Sequence, residues 1–230
     1  MEKRIAELGK VVEEMTPHVV FTVGPVEVTS TVISAWVAMA ILFLFIFIIT
    51  RNLKPVPETK RQLLAELILV FLYGMLDELV GKKGRKFVFL SGTMFLLILF
   101  MNLSWFIPEL TPATIDLSAT VALGLVAILG VQAIGIQQKG LKKYLKHYIS
   151  PTPAMLPMNI IEELVKPFSL GLRLFGNMFG EEMVVLILFI LVPLLLPVPI
   201  QLMGVLMGSI QAYVFSLLTA LYIAGILGDH

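Results

Sequence analysis

Long apolar runs limit what this chain can fold into more than any other feature. Three of them occupy residues 87–107, 117–136 and 202–227. About twenty apolar residues are enough for a helix to cross the hydrocarbon core of a bilayer, and these runs are too long for the buried helices of one ordinary globular domain. Since 58% of the 230 residues are hydrophobic and only 14% are charged, we predict an all-α, polytopic membrane protein with a single integral membrane domain, residues 1–230.

The remaining composition narrows the class of function. The net charge is +1 and the basic residues lie in short loops between apolar runs, so we expect the lipid bilayer, and no nucleic acid, as a partner. The chain has no cysteine, which excludes a disulfide, a thiolate nucleophile and a cysteine metal site. It has no phosphate-binding loop, no His-Glu-x-x-His motif and no nicotinamide-binding glycine pattern. We therefore expect no cofactor, no metal and no catalytic residue.

The apolar runs predict five membrane spans, which cover residues 33–50, 87–107, 117–136, 159–192 and 201–227. Residues 58–85 mix apolar residues with acids and end in a basic cluster, which favours an amphipathic helix in the membrane interface. Four lysines follow the third span, at positions 139, 142, 143 and 146. Because short basic loops stay in the cytoplasm, we expect residues 1–30 to lie outside and the C-terminus inside.

The fourth span is too long to cross a bilayer upright. About thirty residues separate Leu164 from Pro193, which is roughly 45 Å of helix against a hydrocarbon core of about 30 Å. Such a helix has to tilt steeply or bend, and a packing surface must hold it there. We predict that residues 159–228 form a long tilted helical hairpin.

Arg173 stands inside this fourth span. Its guanidinium cannot lose its proton, and an arginine at mid-membrane costs at least about 2.5–3.5 kcal/mol on insertion scales, so it marks a functional site by default. At about 100° per residue, one helix face carries it together with Ser169, Asn177, Gly176 and Gly180. The two glycines favour a surface that another backbone approaches closely, although ordinary packing of small residues explains them as well.

No carboxylate of the chain is expected to reach Arg173. Glu181 and Glu182 lie about 12–14 Å further along the helix axis, and Glu162 and Glu163 lie a similar distance the other way. The missing anion is therefore expected on another chain or on a substrate. Glu182 points about 180° away from Arg173 and Glu181 about 80° away. At least one of them is expected to line a wet path and relay a proton, with Glu182 as the main candidate; the alternative is a pair of interfacial acids at the outer surface.

The last span carries a pair of small residues, Gly204 and Gly208, followed by Gln211 on the same face. Gln211 could line a pore or bond to a neighbouring helix, and composition leaves both interpretations open. In contrast to the fourth span, residues 201–227 contain no acid, base or histidine.

The fourth span closely resembles the signature of subunit a of rotary F-type ATP synthases, over Lys166-Pro-Phe-Ser-Leu-Gly-Leu-Arg173-Leu-Phe-Gly-Asn177-Met-Phe-Gly-Glu-Glu182. Three shorter matches join it: Met101-Asn102-Leu, Asp116-Leu-Ser-Ala-Thr and Ile210-Gln211-Ala-Tyr-Val-Phe-Ser-Leu-Leu-Thr219. The resemblance covers the chain from about residue 87 to its C-terminus, and more weakly the part before that.

The resemblance implies a non-catalytic stator subunit in the bacterial plasma (inner) membrane. Such a subunit forms two ion half-channels and carries protons to and from a rotating ring of c subunits during ATP synthesis, with b-type peripheral stalk subunits as further partners. Arg173 would face the essential carboxylate of each passing c subunit, which supplies the missing anion.

The matched positions also imply roles for the surrounding residues. The outer half-channel would be lined by Asn177, Glu182 and Gln211, with Glu181 as a neighbouring acid, and Ser169 would lie near the inner half-channel. The ring would be faced by the small residues Gly176, Gly180, Gly204 and Gly208. Many relatives carry a second ionisable group in the last helix, which this chain lacks.

A self-contained carrier for an anionic solute, with Arg173 as its substrate clamp, is the alternative from another class of protein. The chain shows no internal repeat of the kind that many secondary transporters have, which argues against a carrier. Purification in mild detergent would separate the two hypotheses, because a stator subunit should co-purify with an oligomer of small hairpin subunits that carry an acid.

Overall fold

The structure is a computed structural model of the chain. It describes residues 18–23, 26–51, 53–57, 59–104, 111–142, 144, 155–191 and 197–228. Residues 1–17 of the predicted external segment lie outside the described residues, as do residues 105–110 and 192–196, in which the second and fourth predicted spans were expected to end. Six helices account for most of the described residues: α1 Ser30–Thr50, α2 Lys60–Leu79, α3 Val88–Leu103, α4 Leu117–Lys139, α5 Leu156–Leu191 and α6 Pro197–Gly228.

Within the described residues, four helices are long and apolar enough to cross a membrane: Ser30–Thr50, Gly84–Leu103, Leu117–Lys139 and Pro199–Leu227. The predicted class, an all-α polytopic membrane protein, is thereby confirmed. The helix that contains Arg173, α5, is not among these four. Its 36 residues make it about 54 Å long, and its passage through the bilayer stays a prediction.

A short β-hairpin precedes α1 and was not predicted from the sequence. Strand β1, Val19–Val23, pairs antiparallel with strand β2, Val26–Thr29. The backbone N–H of Ser30 donates to the carbonyl of His18 at 2.9 Å, so the hairpin runs directly into the first span. Strands of five and four residues are too short for the alternation of side chains to stand out from noise.

Helix α2 lies where the interfacial helix was predicted, and its position in the interface stays a prediction. Its first turn is capped by the side chain of Thr59, which accepts from the backbone N–H of Gln62. A 3₁₀ turn, Lys82–Phe87, follows it, and Arg85 of that turn forms a two-bond salt bridge with Asp77. The Arg85 hydrogen bond, with the nearby positive charges, holds the pKa of Asp77 below its usual value.

Helices α3, α4, α5 and α6 enclose the largest apolar core. Its buried members are Met94, Ile98, Ile115, Ala127, Ile128, Leu170, Leu174, Met178, Ala212 and Phe215. Every one of these helices contributes an apolar stripe to the core, so the orientation of α5 about its own axis is set by packing.

Two glycines bring α4 and α5 into backbone contact. A Cβ on Gly124 would overlap the carbonyl oxygen of Pro167, and a Cβ on Gly171 would lie 2.8 Å from the Cα of Val121. Real Cβ atoms essentially never come that close to backbone atoms. Pro167 lies inside α5, where a proline removes one backbone hydrogen bond, and α4 packs against the helix at this point.

Helices α3 and α6 are joined by reciprocal serine hydrogen bonds. The hydroxyl of Ser216 donates to the carbonyl of Ser91 at 2.8 Å, and the hydroxyl of Ser91 lies 3.2 Å from the carbonyl of Ser216. Both side chains are fully buried. Polar bonds of this kind fix the register of two helices where apolar contacts would allow them to slide.

Candidate functional site

Arg173 lies on a face of α5 that nothing in the described chain covers. Ser169, Arg173, Gly176 and Gly180 are all exposed, and a Cβ built on either glycine meets no atom within 4 Å. The opposite face is buried in the core, with Leu170, Leu174 and Met178 at 2%, 0% and 7% exposure. Among the described residues, Arg173 forms no ion pair and no hydrogen bond. The four residues Ser169, Arg173, Gly176 and Gly180 are called the open face below.

Asn177 is half-buried and Gln211 is buried, so neither shares the exposure of the open face. The Tyr222 hydroxyl of α6 interacts electrostatically with the charges of Lys166 and Arg173. Tyr222 lies beside a cluster of charged residues at the start of α5.

That cluster surrounds a cavity of about 400 Å³ between α4, α5 and α6, lined among others by Asn159, Glu162, Glu163, Lys166 and Tyr222. We call it the wide cavity. The Lys166 ammonium bonds to Glu163 at 2.8 Å and lies 3.4 Å from Glu162. It also sits 5.3 Å from the ring centroid of Tyr222, within the range of a cation–π contact.

Glu163 is tied to α4 as well as to Lys166. It accepts a hydrogen bond from the side chain of Gln132, which in turn accepts one from the hydroxyl of Tyr144. The contact of Glu162 and Glu163 with Lys166 was not predicted from the sequence. The spacing could have predicted this contact. Glu162 and Glu163 precede Lys166 by four and three residues, and residues at these separations meet on one helix face.

Glu181 faces inward, against α6. A Cβ added to Gly204 would coincide with the Glu181 carboxylate, so the side chain occupies a notch that only glycine leaves open. Gly208 contacts Asn102 of α3, whose side-chain N–H donates to the Gly208 carbonyl at 2.9 Å. Both glycines are buried by their own chain. The expectation that Gly204 and Gly208 face a ring is therefore corrected. Gly204 faces Glu181 of α5, and Gly208 faces Asn102 of α3.

A second cavity lies beside the notch. Its volume is about 10 Å³, and it is lined by Leu99, Asn102, Leu103, Met178, Glu181, Gly204, Val205 and Ser209. We call it the narrow cavity. Two oxygens in this region are buried without a hydrogen-bond partner, Oδ1 of Asn102 and Oε2 of Glu181. Glu182 is half-buried and does not line this cavity.

A family model described as ATP synthase A chain matches residues 32–224. The chain belongs to the ATP synthase A chain family. The resemblance inferred from the Arg173 motif is thereby confirmed, and the match includes residues before 87, where the resemblance was weaker.

Relatives within the ATP synthase A chain family match nearly the whole chain. ATP synthase subunit a of Moorella thermoacetica is 51% identical over 214 residues, which cover 93% of this chain and 98% of the relative. ATP synthase subunit a 1 of Syntrophotalea carbinolica is 44% identical over 85% of this chain and 84% of its own length. ATP synthase subunit a 2 of Bradyrhizobium sp. BTAi1 is 34% identical over 94% of this chain and 96% of its own.

Proposed function

We propose that this member of the ATP synthase A chain family is the ion-conducting stator subunit of an F-type ATP synthase. In this proposal the open face of α5 lies against a rotating ring of c subunits, and Arg173 faces the carboxylate that each c subunit carries. The observation that carries the proposal is the exposed, unpaired guanidinium on a helix whose opposite face is packed in the core. A permanent cation inside a membrane needs an anion, and the described chain supplies none to Arg173.

The two glycines of the open face support a moving partner. Gly176 and Gly180 leave a shallow surface one and two turns after Arg173, with space for a foreign backbone to come close. A ring has a curved outer wall, and α5 has about 54 Å of length with which to lie tilted across it. Residues that protrude would obstruct the passage of successive c subunits.

The two cavities support a path for ions on either side of Arg173. Lys166 of the wide cavity lies seven residues before Arg173, and Glu181 of the narrow cavity lies eight residues after it, which places them about 10 Å and 12 Å away along the axis. We assign the wide cavity to the inner half-channel, close to Ser169, and the narrow cavity to the outer half-channel, close to Asn177, Glu182 and Gln211.

Arg173 then acts as the barrier between the half-channels. A ring carboxylate that has lost its proton is stabilised only beside this cation, whereas a protonated one can turn into the lipid as a neutral group. The same charge repels a proton that would leak straight from one half-channel to the other. Since moving one charge through 100 mV is worth about 2.3 kcal/mol, blocking this leak preserves the energy that drives synthesis.

The proposal includes an orientation and the remaining partners. Lysines at the end of α4 and just after it, such as Lys139 and Lys142, favour a cytoplasmic position for that end of the helix, so the N-terminus lies outside and the C-terminus inside. The subunit catalyses no reaction of its own, and b-type stalk subunits hold it against the rotation of the ring.

Replacing Arg173 by alanine tests the proposal. The Arg173→Ala complex should assemble with its ring but lose ATP-driven proton pumping in proteoliposomes, measured by quenching of a pH-sensitive dye, because the ring carboxylate would lose its only cation. Arg173→Lys should pump poorly or not at all, since a buried ammonium readily loses its charge.

The matched control is Leu172→Ala, a truncation of the adjacent side chain, which is 53% exposed, and it should pump like the wild type. Coupled pumping by Arg173→Ala at the wild-type rate would refute the proposal. Purification of the chain without any ring, together with uptake of an anionic solute, would favour the carrier instead.

A further inference from the structure

We propose that the corner between α1 and α2 binds the headgroup of an anionic phospholipid, such as phosphatidylglycerol, through Arg51, Lys60 and Arg61. The inference goes beyond the proposed function, because it needs neither a ring nor an ion path. It requires only that α1 crosses the bilayer, for which this helix is long and apolar enough. The three cations Arg51, Lys60 and Arg61 are called the basic corner below.

The first observation is an excess of positive charge where a membrane span ends. Residues 51–61 hold four basic residues and one acid. The three cations of the basic corner are exposed, and none of them forms a salt bridge among the described residues. The next acid along the chain, Glu66, accepts a hydrogen bond from the Gln62 side chain at 3.0 Å. The charge of the basic corner is therefore available to an external anion.

The second observation is that the loop before α2 is held in one shape by Gln62. This side chain is 5% exposed and bonds to both backbone groups of Lys54. Its Oε1 accepts from the Lys54 N–H at 3.2 Å, and its Nε2 donates to the Lys54 carbonyl at 2.5 Å. Pro55 and Pro57 restrict the same loop further. Because the loop is fixed before a ligand arrives, less conformational freedom is lost on binding, and this favours affinity.

The third observation is an exposed apolar surface that continues from the basic corner along α2. Leu63, Leu64 and Leu67 follow Lys60 by three, four and seven residues, so they share its side of the helix. These leucines are 58%, 42% and 68% exposed, and Val56 in the loop is 69% exposed. Acyl chains can cover such a surface, which places an apolar site directly beside a cationic one.

The position of the basic corner favours a lipid over a soluble anion. Helix α1 ends at Thr50 and Arg51 follows directly, so the corner lies at the depth of the lipid headgroups. In the proposed orientation this is the cytoplasmic surface, where the negative potential of the leaflet attracts lysine and arginine. A free phosphate would contact the cations and leave the apolar surface uncovered. A phospholipid occupies both.

Lipid binding to the purified full chain tests the proposal. The chain is freed of lipid in a neutral detergent and titrated with phosphatidylglycerol or phosphatidylcholine that carry the same acyl chains, and bound lipid is counted by native mass spectrometry. The wild type should bind phosphatidylglycerol at least about tenfold more tightly, since each lysine or arginine near a headgroup adds to the attraction. In the triple variant Arg51→Gln, Lys60→Gln and Arg61→Gln this preference should fall below about threefold. A wild type without preference would overturn the proposal.

The matched control removes the same charge elsewhere. Lys82→Gln, Lys86→Gln and Lys142→Gln together change three exposed lysines outside the basic corner, and this variant should keep the preference of the wild type. An equal loss in the two triple variants would show that net charge alone attracts the lipid, and would overturn the site. Glycerol phosphate at the concentration of the lipid should not displace it; displacement would show that a soluble phosphate is the ligand.

Gln62→Leu tests the part of the fixed loop. The variant keeps the net charge and the three cations but removes the bonds to Lys54, so its affinity for phosphatidylglycerol should fall at least about threefold while that for phosphatidylcholine stays unchanged. Wild-type affinity in a folded Gln62→Leu chain would overturn the positioning role of Gln62. If this variant does not fold, the two triple variants still decide the site, because their changes are all at exposed positions.

The outcomes also separate the lipid from a protein partner and from the proposed function. If the basic-corner variant binds phosphatidylglycerol like the wild type while its complex loses stalk subunits, an acidic protein segment occupies the corner and the lipid proposal is overturned. Arg173→Ala lies outside the corner and should bind both lipids like the wild type. Failure of the proposed function would thus leave this measurement unaffected.

Discussion

Asp116 shows how one side chain joins elements that are distant in the sequence. Its carboxylate caps α4 by accepting from the backbone N–H of Ser118 at 2.8 Å and from the Ser118 hydroxyl at 2.6 Å. It also accepts from the hydroxyl of Thr31 at the start of α1, at 2.7 Å. Burial alone would raise the pKa of Asp116, but these hydrogen bonds outweigh it and leave the pKa below the usual value.

We predict that Asp116→Ala lowers thermal stability in detergent by about 1–2 kcal/mol at neutral pH, the usual cost of a lost N-cap. Because the folded-state pKa is lowered, the charged form stabilises the fold above the unfolded pKa of about 4, and this contribution is lost as the pH falls through the folded value. The difference in melting temperature between wild type and variant should therefore shrink below about pH 4. Glu78→Ala, at an exposed position, is the control; a difference that does not change with pH would contradict the prediction.

At the scale of elements, glycines decide how close neighbouring helices come. Gly124 lets α4 touch the backbone of α5 at Pro167, whereas Gly74 on α2 has open space around it. Both are glycines inside helices, yet only the first lies at a contact. The difference depends on which side of each helix faces a neighbour.

We predict that Gly124→Ala destabilises the chain by about 1–3 kcal/mol, because its methyl group would displace the backbone carbonyl of Pro167, and overpacking of this kind is costly. Gly74→Ala should be neutral or stabilise the chain by up to about 1 kcal/mol, since it removes only the freedom of the unfolded backbone. Thermal unfolding of the two purified variants measures both effects. Equal melting temperatures would show that α4 and α5 do not meet at this point.

At the scale of the whole molecule, α5 divides its surface between two tasks. One side, with Leu170 and Leu174, is fixed in the core by α3, α4 and α6. The other side is the open face with Arg173. The division means that a change on the open face should leave the folded chain intact and act only on what binds there.

We predict that Gly176→Leu leaves the melting temperature of the isolated chain within about 2 °C of the wild type, because a Cβ there meets no neighbour. In the assembled complex the same variant should lose most ATP-driven proton pumping, since the added side chain would hold the ring away. Gly74→Leu, which also enters open space but on α2, is the matched control and should pump normally. Normal pumping by Gly176→Leu would place the ring contact elsewhere.

The sequence by itself determined the class of protein and singled out Arg173 as the candidate site. Both follow from local properties: a run of about twenty apolar residues can satisfy its backbone in a membrane only as a helix, and a guanidinium keeps its charge wherever it lies. The family motif around Arg173 is likewise a local pattern. Helical spacing also placed Ser169, Gly176 and Gly180 correctly beside Arg173.

Only the tertiary structure decided which acid lies against α6 and which glycines face outward. Asn102 and Gly208 are 106 positions apart, and Gln132 and Glu163 are 31 apart, so no helical period relates them. Gly204 and Gly176 look alike in the sequence. The Glu181 carboxylate occupies the space beside Gly204, whereas the space beside Gly176 is empty. The rotation of each helix about its axis is set by the packing of all its neighbours together, and that information is not present in any single segment of the chain.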